Sequence, residues 1–151
     1  MSIELNSIQI LLSQSKTIAV VGLSAKPDRP SHAVAKYLQE HRYRIVPVNP
    51  TYAGTKILNE TCHANLSEAA AALRSENQTI DLVDCFRKSE TVLPIVAEAI
   101  AIGARGLWMQ IGVVNQQAAE KASAAGLQVV MDRCLKIEHQ NSNVVLGRGN
   151  P

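Results

Sequence analysis

The sequence predicts an α/β fold, a doubly wound parallel sheet of about five strands with helices on both faces. Three observations predict it. Short runs of β-branched and aliphatic residues recur along the chain, apolar at consecutive positions, as in strands covered on both sides. Segments of helical periodicity separate them, so each strand-to-strand connection has room for a crossover helix. The first run, Thr17-Ile-Ala-Val-Val21, reaches Gly22, crosses a short polar loop and enters a helix opened by Pro30 and Ser31. That is the order in which a first strand delivers a phosphate to a helix N-terminus.

The elements follow in sequence. Ile3, Leu5, Ile8, Leu11 and Leu12 fall near one face of a leading helix over Ile3–Ser15, expected to pack beside the first strand. Strand one is predicted at Thr17–Leu23, a helix at Ser31–His41 and strand two at Tyr43–Asn49. An Ala-rich helix covers Ser67–Ser75 and strand three Thr79–Phe86. A helix over Ser89–Ile102 carries Pro94 near its first turn, strand four is Gly106–Gln110, a helix spans Asn115–Ala125, and strand five is Leu127–Met131. Gly103 and Gly126 stand just past helix ends, where a left-handed residue is commonly needed. Right-handed crossovers make this a Rossmann-like sheet. Without repeat or linker, residues 1–151 are expected to form a single domain, with a flexible tail over 141–151 where the apolar pattern fades.

Composition narrows the partners. A net charge of +2 and 3% aromatic residues give neither the basic stripe nor the stacking platforms of a nucleic-acid binder. No run of about 18 apolar residues exists, and Met1–Asn6 lacks the start of a secretory signal, so no membrane role and a cytoplasmic location are expected. Cys62, Cys85 and Cys134 are odd in number, far apart and without metal spacing, and read as reduced thiols. A homodimer is the generic expectation for a small protein.

In doubly wound sheets ligands bind beyond the carboxyl ends of the strands. The residues there are small, polar or special: Gly22-Leu-Ser24, Asn49-Pro50, Phe86-Arg87-Lys88, Gln110-Ile-Gly112 and Asp132-Arg133-Cys134. Gly22 lets a phosphate approach the backbone, and the following helix offers free N–H groups and the positive end of its dipole. Ser24 and Ser31 add hydroxyl donors, and Lys26 and Arg29 add charge, Arg29 with a planar fork suited to two phosphate oxygens. Taken alone, this loop also fits an ordinary turn with solvated cations. Strand two decides: an NAD site normally closes it with Asp or Glu on the ribose, whereas here it ends in Asn49 and Pro50. Without a carboxylate the site tolerates a phosphorylated ribose, which Tyr52 or Lys56 could meet. Coenzyme A carries such a 3′-phosphate and a total charge of about −4.

Five segments resemble the small stand-alone CoA-binding domain proteins, relatives of the CoA-binding domain of the succinyl-CoA synthetase α subunit. They are Val20–Ser24 with Lys26–His32, Tyr43–Pro50, Asp84–Arg87, Trp108–Gly112, and Val130–Cys134 with Lys136–His139. The resemblance implies that Gly22, Ser24 and the Arg29-Pro30-Ser31 turn hold phosphates of CoA or an acyl-CoA. Asn49 and Pro50 would border the adenosine, Phe86 and Arg87 its other side, and Gln110 and Gly112 the pantetheine path. The chain departs from the family pattern around Thr61–Ala64 and Ala69–Gln78, so residues 59–78 contribute no expected contact.

The family's synthetases act through a phosphohistidine in a separate ligase domain, and none accompanies these motifs. His32 is a candidate ligand donor, while Cys134 and His139, near Asp132 and Glu138, lack a diagnostic spacing for nucleophilic or metal chemistry. Cys85, Trp108 and Met109 read as core, and Asp84, unusual within a strand, is expected to be a scaffold carboxylate bonded to backbone or to an arginine. The chain is thus expected to be a non-catalytic or accessory CoA-binding module. The alternatives are an NAD(P)-binding oxidoreductase-like domain and a detached CoA-binding subunit of an acyl-CoA synthetase.

Overall fold

The structure, a computed structural model, describes residues 3–142, so the predicted flexible tail from residue 143 onward lies outside the described residues. Five strands form one parallel sheet: β1 (Thr17–Val21), β2 (Arg44–Val48), β5 (Leu82–Cys85), β6 (Gly106–Met109) and β7 (Gln128–Val130). Between β2 and β5 lies a small antiparallel hairpin, β3 (Lys56–Ile57) with β4 (Glu60–Thr61). The helices are α1 (Ile3–Gln14), α2 (Pro30–Glu40), α3 (Leu66–Arg74), α4 (Val92–Ala101), α5 (Gln116–Ala124) and α6 (Leu135–Gln140).

Across the sheet the order is β2-β1-β5-β6-β7, so the winding direction reverses between β1 and β5. That reversal opens a crevice at the carboxyl ends of the two strands, the usual ligand position in this architecture. Alternation along each strand feeds two cores. Ala19, Val21, Val46, Val48, Val83, Cys85, Leu107 and Met109 face α3, α4 and α5. Ile18, Val20, Ile45, Leu82, Trp108 and Val130 face α1, α2 and α6. Each fully buried aliphatic side chain in these layers contributes roughly 1.5–3 kcal/mol of transfer free energy.

The leading helix reaches further across the sheet than a place beside strand one requires. Ser7 Oγ donates to Gln128 Oε1 of β7 at 2.7 Å, and a Cβ on Gly106 of β6 would collide with Leu11. Glu4 binds Arg133 Nε at 2.9 Å. Pro30 opens α2 at its first turn, and Asn65 and Asn115 cap α3 and α5 by accepting from the N–H groups of Glu68 and Ala118. No helix among the described residues is long and apolar enough to cross a membrane.

Candidate functional site at the winding reversal

Gly22 follows β1 with φ +93°, and its position admits no side chain: a Cβ would lie 2.5 Å from the Phe86 carbonyl oxygen and 2.9 Å from Arg87 Cδ. The β1 and β5 ends therefore close on each other through glycine. Above this contact is a cavity of about 380 Å³ lined by Gly22, Ser24, Lys26, Arg29, Pro30, Ser31, Asn49, Thr51, Tyr52 and Phe86. A second cavity, of about 460 Å³, shares Pro30 and Phe86 with the first and continues past Arg87, Gln110 and Gly112 to Cys134. Of the twelve residues expected at the site, these two adjoining spaces take in all but Pro50, which is exposed and lines neither.

The loop's hydrogen bonds define what it presents. Gly22 N donates to Val48 O, Ser24 N donates to Ser31 Oγ at 3.0 Å, and Lys26 N donates to Ser24 Oγ at 3.1 Å. These three loop amides are thus spent on internal bonds. In exchange, each serine oxygen already accepts a backbone N–H, so its own O–H remains to donate. Ser31 N, preceded by a proline, meets no backbone acceptor among the described residues and adds a donor at the positive end of α2. None of the ion pairs among the described residues involves Lys26, Arg29 or Arg87. The first cavity thus gathers hydroxyl donors and uncompensated cations, a surface suited to a polyanion.

Asn49 is a scaffold as well as a wall. Buried to 8% exposure, it donates from Nδ2 to Leu23 O at 3.0 Å and accepts Thr51 N on Oδ1 at 3.0 Å. It ties the ends of β1 and β2 together and caps a short helical turn over Pro50–Tyr52 that carries Thr51 and Tyr52 into the cavity. Lys56 is elsewhere, in a groove with Arg44 and Glu60. His32 faces a separate groove with Lys36, Tyr37 and Lys136, which corrects its candidacy as a donor at this site. His139 Nδ1 meets Tyr37 Oη at 2.7 Å, so its ring is engaged in the α2–α6 contact. Cys134, half-buried, faces the second cavity.

Among the described residues Asp84 meets neither a backbone group nor an arginine, which corrects the expectation of either partner. Its Oδ1 accepts from Gln110 Nε2 at 2.9 Å, and burial raises its pKa from 3.8 to about 7, with the Gln110 bond opposing that rise. On the opposite face of β5, burial and the neighbouring Asp84 both push the Cys85 thiol upward, which keeps it protonated. Tyr52, named above beside Lys56, does line the first cavity; beyond the anticipated residues the structure adds Thr51 to the first cavity and Val34, Ile111, Val113 and Cys134 to the second. Thr51 could have been found from its place directly after Asn49-Pro50; the apolar additions are indistinguishable from core residues in sequence.

Comparison with known proteins agrees with this architecture. The Bacillus subtilis (strain 168) protein YneT is 39% identical over 132 residues, covering 87% of this chain and 91% of its own. A solved structure of a hypothetical protein from Pyrococcus horikoshii OT3 superposes with a TM-score of 0.79 at 35% identity, covering 93% of this chain and 92% of its own. At the level of fold alone, a dinucleotide-forming acetyl-coenzyme A synthetase 1 from Ca. Korarchaeum cryptofilum aligns with a TM-score of 0.65 at 16% identity, over 83% of this chain and 28% of the synthetase. The profile described as CoA binding domain matches residues 16–140, and the chain belongs to that CoA-binding domain family.

Proposed function

We propose that the protein binds coenzyme A or an acyl-CoA at the winding reversal, as a non-catalytic or accessory module. The observation that carries this reading is the pair Lys26 and Arg29, with no ion-pair partner among the described residues, beside two serine hydroxyls poised to donate, with Arg87, likewise unpaired among the described residues, in the adjoining cavity. Arg29, Ser24 and Ser31 would hold the diphosphate, and Thr51, Tyr52 and Asn49 would flank the nucleoside. Membership of the CoA-binding domain family supports the ligand, and the lack of a carboxylate at the end of β2 favours a phosphorylated ribose over NAD. When bound, CoA supplies a thiol able to carry an acyl group.

Isothermal calorimetry with CoA, dephospho-CoA, NAD and NADP tests this directly. CoA is expected to bind most tightly, and Arg29→Ala to weaken it by roughly 1.5–3 kcal/mol, the worth of a charge-assisted hydrogen bond, without unfolding the chain. Binding of NAD but not CoA would overturn the reading. Unchanged affinity in Arg29→Ala would remove that residue from the site.

A further inference from the structure

We infer that Asp84 is a positioning residue that fixes the Gln110 side chain with its carbonyl oxygen toward the ligand, so that the second cavity selects a chain bearing an amide N–H. This rests on the CoA reading and names the part of the ligand that this cavity recognises. Asp84 sits in mid-sheet on β5, in register with Trp108 of β6, with none of its surface exposed. One carboxyl oxygen is bonded to Gln110, and the other, Oδ2, is buried with no partner among the described residues. A carboxyl held this way is costly, and the packing alone would be served as well by an aliphatic residue. Its one contact points to its use.

A glutamine amide has a donor end and an acceptor end. With Nε2 held by Asp84, Oε1 is the end left over, and no donor among the described residues reaches it. Gln110 is only 3% exposed, and what exposure it has faces the cavity walled by Pro30, Val34, Phe86, Ile111 and Val113. An unpaired acceptor in a largely apolar wall discriminates sharply. A chain with an N–H at that point gains a hydrogen bond, whereas a plain alkyl chain strips water from Oε1 and leaves it unpaired. The pantetheine arm of CoA, alkyl segments interrupted by amides, has the matching pattern.

The test titrates CoA and its arm-less counterpart, 3′-phosphoadenosine 5′-diphosphate, into wild type, Gln110→Met, Asp84→Leu and Asp84→Asn, with circular dichroism to verify folding. Gln110→Met and Asp84→Leu are each expected to weaken CoA about tenfold, while the arm-less nucleotide binds as before. Asp84→Asn, which keeps a carbonyl to accept from Nε2, is expected to retain CoA affinity. A merely structural role would lower both ligands together in Asp84→Leu and gain no rescue from Asn. Equal losses for the two ligands, or unchanged CoA affinity in Gln110→Met, would overturn the inference while leaving the CoA reading intact. If Asp84→Leu unfolds, Gln110→Met decides alone. Wild type that binds neither ligand overturns both readings.

Discussion

Asp84→Asn is expected to stabilise the fold by about 4 kcal/mol near pH 8 and to make little difference near pH 4. The folded-state pKa of Asp84 is raised from 3.8 to about 7 by burial, so the folded protein binds this proton more tightly than the unfolded chain does. Below about 4 the carboxyl is protonated in both states and burial is tolerated. As pH rises from there through about 7, the unfolded chain ionises first and wild-type stability falls, with the loss complete above the folded pKa. An amide of the same shape does not titrate and escapes that loss. Denaturant unfolding at several pH values checks the sign: wild type and variant should converge in acid and diverge with rising pH. Parallel curves would mean that Asp84 is solvated or otherwise paired.

Gly22→Ala is expected to destabilise the fold by roughly 2–5 kcal/mol, with strain of about 1–2 from a left-handed backbone and about 1–3 from overpacking. The new methyl would press on the Phe86 carbonyl, a backbone group that cannot swing aside. Because Phe86 lines both cavities, ligand affinity should fall even under conditions where the variant is fully folded. Gly54→Ala is the internal control. Gly54 also has a positive φ, +87°, but open space where its Cβ would be, so it should lose only the strain contribution. Equal melting losses for the two variants would show that β1 and β5 do not close on each other through Gly22.

Much of this architecture could be read from the chain because its strands are apolar on both faces and its helices are periodic; Thr17–Val21 and Leu82–Cys85 each sit inside the predicted run. The β3–β4 hairpin could not, since two residues per strand leave no period, and its Leu58-Asn59 turn, with φ of 52° and 67°, uses a leucine where turn chemistry favours glycine. The six-residue α6 is also too short to register as a helical period. At the candidate site, the residues of the first cavity are legible in the sequence as glycine, serine and arginine at a strand end. The Asp84–Gln110 pair is not, because the two are 26 positions apart and meet only through the register of β5 against β6. Asn49 lines the first cavity, and its two internal hydrogen bonds depend on where β1 ends relative to β2, which the sequence does not show.

A crystal structure of the complex with coenzyme A shows where the ligand's diphosphate lies. The diphosphate is expected against Ser24, Arg29 and Ser31, with the pantetheine arm running past Phe86 toward Gln110. A diphosphate found instead in the basic groove at the opposite end of the sheet, among Lys16, Arg42, Arg44 and Arg105, would contradict the proposed site.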